Sequence, residues 1–334
     1  MNSNRYAEWP CIIKKNVAYY YSLKEILDVT SYRNSSAAPE MAAVQNIRRV
    51  GKEIRMEKLE LQKMANEVRK GIVTSVHAAK AGHPGGSLSS ADIFTYLYFE
   101  EMNIDPANPK KADRDRFVLS KGHTAPGLYA ALALRGYFPV EDLKTLRHTG
   151  SYLQGHPDMK HIPGVDMSSG SLGQGISAAV GMALSARLSG DSYRVYTLLG
   201  DGEIQEGQVW EAAQFAVHYK LDNLVCFVDD NKYQLDGACE NVMKHANGIG
   251  AKFAAFGWNV VECADGNDVE QIYDAIQTAY ATKDVPTCIV LNTVKGKGAT
   301  FADGTGAHSS QPSKEQWDEA IAFAEKQLAE IKAQ

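Results

Sequence analysis

The sequence predicts an α/β fold, namely a doubly wound, mostly parallel sheet with helices on both faces. Short apolar runs of the kind buried in parallel sheets lie at residues 194–199, 224–229, 258–263 and 287–293. Segments with helical apolar spacing separate these runs, which is the pattern of βαβ units. The helical segments cover about 58–80, 88–102, 124–136, 172–189, 206–219, 268–282 and 313–333.

Composition limits the class of protein. The 334 residues carry a net charge of −5, from 35 basic and 40 acidic side chains, which argues against a nucleic-acid partner. No apolar run approaches the roughly 18 residues of a membrane span. The five cysteines form no C-x-x-C pair, which argues against a disulfide framework or a zinc site. We therefore expect a reduced, cytoplasmic protein that binds neither nucleic acid nor membrane.

The first 55 residues differ from the rest of the chain. They show no sustained helical or strand period, and charged residues such as Lys14 and Lys24 interrupt every candidate signal-peptide core. A strongly amphipathic helical pattern begins directly after Met56. We predict that residues 1–55 are a weakly structured N-terminal extension or an artefact of start-site choice, and that residues 57–334 form one domain.

The sharpest local motif is a Gly-Asp-Gly turn around Asp201, placed between a strand and a helix. The next strand ends just before Asn231. In a parallel βαβ unit both strands end at the same edge of the sheet, so these two side chains should lie close together. Carboxylate and amide oxygens suit Mg²⁺, which commonly keeps positions for phosphate oxygens, and the helix N-terminus favours negative charge. The motif therefore predicts a diphosphate held through a divalent metal.

Other phosphate and metal motifs are weaker. No segment fits the Walker A pattern. An EF-hand loop fails because its sixth position would be Gln234 instead of glycine. The glycine-rich run 170–175 opens a helix without a preceding strand, so by itself it is a weak signal. The alternative for Asp201 itself is an ordinary turn.

Taken together, the motifs resemble the transketolase family. Asp201-Gly202 followed by Asn231 resembles the thiamine diphosphate fingerprint, and four further motifs narrow the resemblance to transketolases. They are Gly82-His83-Pro84-Gly85-Gly86, Asp115-Arg-Phe-Val-Leu-Ser-Lys-Gly-His123, Gly155-His156-Pro157 and Gly170-Ser-Leu-Gly-Gln-Gly175. The match covers about 57–310 and implies the diphosphate-binding domain of the thiamine diphosphate-binding fold.

The resemblance also implies roles for single residues. Asp201, Asn231 and the main-chain carbonyl of Tyr233 would coordinate Mg²⁺, with Ca²⁺ or Mn²⁺ as substitutes. The cofactor-binding set would be His123, Gly170, Leu172, Asp201, Gly202, Asn231 and Lys295. The catalytic set would be His83, His123, His156 and His308 around the thiazolium and the sugar, with Glu206 in a hydrogen-bonded bridge between subunits. The segment after His308 departs from the family, because Ser309 stands where a glycine is usual.

The function implied is transfer of a two-carbon ketol unit from a ketose phosphate to an aldose phosphate, as in the pentose phosphate pathway. A full-length transketolase carries a further pyrimidine-binding domain, for which this chain has no room. We therefore predict the amino-terminal subunit of a split enzyme, active only with a separate pyrimidine-binding C-terminal transketolase subunit in an α2β2 assembly.

Three alternatives stay open. The α subunit of a thiamine-dependent 2-oxo acid dehydrogenase shares the metal fingerprint, although the histidine loops suit a polyhydroxylated sugar better. A non-catalytic cofactor-binding subunit is the second alternative. The third is a transketolase that acts on an unusual ketose phosphate.

Overall fold

The computed structural model describes residues 56–303 and 312–332. The predicted extension, residues 1–55, lies outside this part. The helices are α1 (Lys58–Ala79), α2 (Pro84–Ser89), α3 (Ala91–Thr95), α4 (Ala125–Arg135), α5 (Gln174–Ser189), α6 (Gly207–His218), α7 (Cys239–Val242), α8 (Ile249–Ala255), α9 (Val269–Ala281) and α10 (Lys314–Lys332). None of these helices is long and apolar enough to cross a membrane.

The main sheet has five strands: β1 (Arg116–Leu119), β2 (Val195–Gly200), β3 (Leu224–Asp230), β6 (Asn259–Cys263) and β7 (Thr287–Asn292). All five are parallel, in the order β1-β2-β3-β7-β6. A small antiparallel hairpin of β4 (Tyr233–Gln234) and β5 (Gly237–Ala238) follows β3. The predicted parallel α/β class is confirmed.

Helices cover both faces of the sheet, as predicted. Along β2, Tyr196 and Leu198 join one buried core with α1, α4 and α9, whereas Val195 and Leu199 join a second core with α5, α6 and α8. The chain crosses the sheet in one direction from β1 to β6 and then returns to β7. Because crossovers are right-handed, the return helix α9 lies on the face opposite α5, α6 and α8.

Several elements differ from the sequence-based expectation. The predicted helix 88–102 begins instead at Pro84, a residue favoured at the first helical position, and breaks at Ser90 before a π-helical turn, Tyr96–Glu101. Sequence reasoning missed β1, which is only four residues long, and the seven-residue helix α8. Both lack enough residues to show a period.

A long loop between α4 and α5 runs over the carboxyl edge of the sheet. The Tyr129 hydroxyl on α4 fastens it by donating to the carbonyls of Gln154 and His156, both at 2.9 Å. This contact holds a histidine loop at the edge where the strands end.

Candidate active site

A cavity of about 470 Å³ opens at the carboxyl ends of β2 and β3. The predicted site residues that the structure describes all line it: His83, His123, His156, Gly170, Leu172, Asp201, Gly202, Glu206, Asn231, Tyr233 and Lys295. His308 lies outside the described residues. The structure thus brings together side chains that are more than two hundred positions apart in the sequence.

Asp201 is a buried carboxylate at the end of β2. Its N–H donates to the Asp229 carbonyl at 3.2 Å, which continues the β2–β3 pairing, and its side chain Oδ1 accepts from Gly202 N at 2.7 Å. The other oxygen, Oδ2, is buried and accepts no hydrogen bond of ordinary geometry from the residues that the structure describes, although the Cys239 thiol interacts with this carboxylate. Burial, and then the negative charge of Asp229, raise the pKa of Asp201 to about 7.

Asn231 follows β3 and faces the same cavity. Its Nδ2 donates to Asp229 Oδ2 at 2.6 Å, and its Oδ1 accepts from Tyr233 N at 3.2 Å, so the orientation of the amide is fixed. The Tyr233 carbonyl accepts from Lys295 Nζ at 2.9 Å. Oxygens of Asp201, Asn231 and Tyr233 therefore line one cavity, and the buried Asp201 oxygen, which only the weak thiol donor of Cys239 approaches, suits a hard divalent cation.

A buried ion pair between Lys121 and Asp229 stabilises this arrangement. Asp229 Oδ2 accepts from Lys121 Nζ at 2.5 Å and from Ser89 Oγ at 2.7 Å, in addition to the Asn231 amide. Burial alone would raise the pKa of Asp229, but the Lys121 ammonium, together with the hydroxyls of Thr293 and Ser89, outweighs it and holds the pKa below the ordinary value. The carboxylate therefore stays ionised, and it fixes which end of the Asn231 amide points to the cavity.

Glu203 joins three segments of the cavity wall. Its Oε1 accepts from Ser120 Oγ at 2.6 Å and from Gly173 N at 2.9 Å, and its Oε2 accepts from Gly200 N at 3.0 Å. Burial raises the pKa of this carboxyl above its ordinary value. Glu203 thus positions the ends of β1 and β2 and the start of α5 relative to one another.

Sequence reasoning missed Lys121, Asp229 and Glu203. Lys121 stands inside the motif that ends at His123, and a lysine in that otherwise mostly apolar run was an available signal. From the sequence, Asp229 was interpreted only as the last residue of a strand, and Glu203 only as part of the turn after Asp201.

Histidines line another part of the cavity. The rings of His83 and His123 meet edge to face, with centroids 5.1 Å apart. Burial, and then the Arg147 charge, lower the pKa of His83 to about 4, and the same two causes lower the pKa of His156. His83 is therefore neutral near pH 7, and the lowered pKa favours the neutral form of His156. A neutral imidazole can donate from one nitrogen and accept at the other, as proton transfer to a sugar hydroxyl requires.

Gly170 lets the backbone approach the histidine loop. Its φ is +149°, and a Cβ placed on it would lie 3.0 Å from Cγ of His156. Glycine at this position therefore allows the close approach that the cavity wall needs.

Comparison with known proteins identifies the family. The sequence model of the family described as "Transketolase, thiamine diphosphate binding domain" matches residues 60–328. The chain belongs to the transketolase family. The transketolase resemblance and the thiamine diphosphate-binding fold predicted from the sequence are confirmed.

Two curated relatives of this family match this chain over nearly their full length. The 6-deoxy-6-sulfo-D-fructose transketolase subunit SqwG of Clostridium sp. (strain MSTE9) is 46% identical over 274 residues, which is 82% of this chain and 99% of the relative. An apulose-4-phosphate transketolase subunit of Phocaeicola vulgatus is 41% identical over 269 residues, which is 80% of this chain and 94% of the relative. These transketolase matches favour the transketolase interpretation over the 2-oxo acid dehydrogenase alternative.

Solved transketolase structures share the fold. The enzyme from Leishmania mexicana superposes with a TM-score of 0.72 at 31% identity, covering 82% of this chain and 45% of that one. The enzyme from Campylobacter jejuni gives a TM-score of 0.73 at 29% identity, covering 83% and 48%. The chain therefore spans less than half the length of these transketolases.

The raised pKa of Asp201 predicts a pH-dependent stability in the absence of divalent metal. The folded state holds a proton on Asp201 up to about pH 7, whereas the unfolded state loses it near pH 3.8. The contribution of this residue to stability therefore falls as the pH rises through that range. Asp201→Asn stays neutral, so it lacks this pH dependence. Its free energy of unfolding minus that of the unsubstituted chain should therefore be about 1–3 kcal/mol larger at pH 8 than at pH 5.

Urea unfolding with EDTA at both pH values measures this difference. Asp191→Asn, at an exposed acid, is the matched control and should change nothing. Parallel pH profiles for Asp201→Asn and the unsubstituted chain would contradict the prediction.

The buried pair predicts a second effect on stability. Lys121→Met leaves Asp229 buried without its cation, so we expect a loss of about 3–5 kcal/mol in the free energy of unfolding. Adding Asp229→Asn removes the uncompensated charge and should recover part of this loss. Lys144→Met, at an exposed lysine, should stay within about 0.5 kcal/mol. If urea unfolding shows Lys121→Met to be as stable as the Lys144→Met control, the pair does not hold the site together.

Proposed function

We propose that this chain is the diphosphate-binding subunit of a split transketolase. In this proposal it uses thiamine diphosphate and a divalent metal, and it acts only with a separate pyrimidine-binding subunit. The observation that carries the proposal is the single cavity in which the Asp201 and Asn231 oxygens meet three histidines. The match to nearly the full length of two relatives named as transketolase subunits supports it.

The metal would be held by Asp201, Asn231 and the Tyr233 carbonyl, with Mg²⁺ as the natural ion and Ca²⁺ or Mn²⁺ as substitutes. A cation would compensate the buried oxygen of Asp201 and favour its ionised form. Lys295, which burial holds at a pKa of about 8, would lie beside the cofactor's diphosphate. When bound, thiamine diphosphate supplies the nucleophile and electron sink for cleavage of a carbon–carbon bond.

The side chains of this subunit bind and orient the sugar. The histidines His83, His123 and His156 would donate hydrogen bonds to the hydroxyls and the carbonyl oxygen of the ketose. A histidine that is neutral near pH 7 can also accept the hydroxyl proton that must leave during bond cleavage. Glycines at 170 and 202 let the main chain approach the cofactor closely.

Exposed side chains at the opening of the cavity support the proposal of a partner subunit. Leu172 and Leu235 line the cavity and are 37% and 66% exposed, and Glu206 beside them is also exposed. Exposed apolar side chains at a cavity rim are typical of a surface that another chain covers. In the proposed α2β2 assembly, Glu206 would take part in the bridge between subunits.

The substrate class follows from chemistry and from the relatives. A histidine-lined cavity suits a polyhydroxylated ketose and aldose. The two relatives are named for 6-deoxy-6-sulfo-D-fructose and for apulose 4-phosphate, which supports a donor with an anionic group at its far end. We propose a cytoplasmic enzyme of sugar-phosphate metabolism, as in the pentose phosphate pathway or a related catabolic route.

Turnover tests the proposal directly. The complex is isolated from source cells through an affinity tag on this chain, and ketol transfer from xylulose 5-phosphate to ribose 5-phosphate is measured with thiamine diphosphate and Mg²⁺. We expect transfer by the complex and none by the chain alone. Asp201→Ala should abolish transfer, whereas the exposed control Asp191→Ala should keep it.

Two outcomes would contradict the proposal. Robust ketol transfer by the isolated chain would refute the split enzyme. Decarboxylation of pyruvate by the complex, without ketol transfer, would support the 2-oxo acid dehydrogenase alternative instead.

A further inference from the structure

A polar cluster outside the active-site cavity binds the loop that carries Lys295. Its members are Arg69 on α1, Asp92 on α3 and Asn267 in the turn before α9, and we call them the Arg69 cluster. Arg69 and Asp92 are 8% and 4% exposed. None of the three is among the described residues that line the cavity, so a role in the site would have to be exerted through other residues.

Asp92 joins the other two members of the Arg69 cluster. Its Oδ2 accepts from the Arg69 guanidinium and, at 2.9 Å, from Asn267 Nδ2. The same Nδ2 also donates to the Ser89 carbonyl at 3.1 Å. Two acceptors at the amide nitrogen fix the orientation of the Asn267 side chain, and its oxygen can accept a further hydrogen bond.

Two members of the cluster bind the main chain on either side of Lys295. Asn267 Oδ1 accepts from Val294 N at 3.0 Å. Arg69 Nε donates to the Lys297 carbonyl at 3.2 Å. The backbone that carries Lys295 is therefore held both before and after this residue.

Two glycines of the same loop allow close approaches. Gly296 N donates to the Gly85 carbonyl at 3.0 Å, which joins the loop to the segment after His83. Gly298 has a φ of +85°, and a Cβ placed on it would lie 2.9 Å from Cδ of Arg69. The loop backbone thus packs directly against the Arg69 side chain.

Lys295 connects this loop to the active-site cavity. It is 2% exposed, it lines the cavity, and its Nζ donates to the Tyr233 carbonyl at 2.9 Å. A lysine ammonium is carried on a flexible four-carbon stem, so its position depends on how firmly its backbone is held. The contacts of the Arg69 cluster supply that restraint.

We propose that Arg69, Asp92 and Asn267 are positioning residues, which act through the loop on the Lys295 ammonium beside the cofactor's diphosphate. This inference rests on the proposed function and adds to it residues that touch neither cofactor nor substrate. An ammonium that is fixed before the diphosphate binds loses less conformational entropy on binding. Loss of the cluster should therefore free Lys295 and weaken cofactor binding, while the chemical step stays the same.

The reactivity of Lys295 tests this without cofactor or turnover. Acetic anhydride acetylates accessible lysines of the full chain, and mass spectrometry gives the rate at each one. Arg69→Met should raise the rate at Lys295 about 10-fold. Lys121, which is 1% exposed in the same cavity, should keep its low rate, because its described hydrogen-bond partners lie outside the cluster.

Two further variants sharpen the measurement. Asn267→Ala leaves the buried ion pair in place but removes the hydrogen bond to Val294 N, so it should raise the rate at Lys295 in the same direction. Lys70→Met is the matched control on α1, because Lys70 pairs with Glu67 at 3.5 Å, outside the cluster, and it should leave the rate at Lys295 unchanged. Thermal unfolding checks that every variant is folded.

Two labelling results would overturn the inference. One is an unchanged rate at Lys295 in folded Arg69→Met or Asn267→Ala. The other is an equal rise at Lys121, which would indicate general loosening of the fold in place of release of one loop.

Kinetics of the active complex provide a second readout. Asn267→Ala should raise KM for thiamine diphosphate about 10-fold, while kcat at saturating cofactor stays close to its original value. Lys295→Met should raise this KM at least as much. Adding Asn267→Ala to Lys295→Met should cause no further increase, because both changes act through one ammonium. A full additional increase in the double variant would contradict the positioning role.

The two proposals fail separately. Absence of ketol transfer, with the labelling pattern as expected, refutes only the proposed function. Ketol transfer by an Asn267→Ala complex with an unchanged KM for thiamine diphosphate refutes only the positioning role of the Arg69 cluster.

Discussion

The parallel pairing of β2 with β3 is the constraint on which the site depends. Its register places Gly200 opposite Asp229, so that Asp201 leaves one strand where Asn231 leaves the next. The crossover connection through α6 lets these two strands pair in parallel as neighbours. A shift of the register by one residue would turn every side chain of a strand to the other face of the sheet, so two buried cores hold the register in place.

Three carboxylates are buried at this edge of the sheet, and each has a different set of hydrogen-bond and ion-pair partners. Asp229 is paired with Lys121, and Glu203 is satisfied by a hydroxyl and two backbone N–H groups. Asp201 has a buried oxygen that only the Cys239 thiol approaches among the described residues, and burial, followed by the charge of Asp229, raises its pKa. A buried acid left incompletely satisfied costs stability, and such groups concentrate where a protein binds charge. The residue that the motif predicts as a metal ligand is therefore also the buried acid whose hydrogen bonding the described residues leave incomplete.

The sequence predicted what depends on local patterns. Strand and helix periods indicated the parallel fold, and the parallel rule alone predicted that Asp201 and Asn231 would meet. The sequence did not predict that Lys121 pairs with Asp229. The two residues are 108 positions apart, and any of several lysines could have been the partner. The role of Glu203 was hidden for the same reason, because its partners Ser120 and Gly173 come from distant segments.

The most direct measurement of the central claim is the position of a metal. Crystals of the full chain grown with thiamine diphosphate and Mn²⁺ would show the ion by its anomalous scattering. Our account predicts one strong peak within coordination distance of an Asp201 carboxylate oxygen, Asn231 Oδ1 and the Tyr233 carbonyl, next to the diphosphate. A cofactor bound with its diphosphate elsewhere, or a peak that none of these three oxygens contacts, would contradict it.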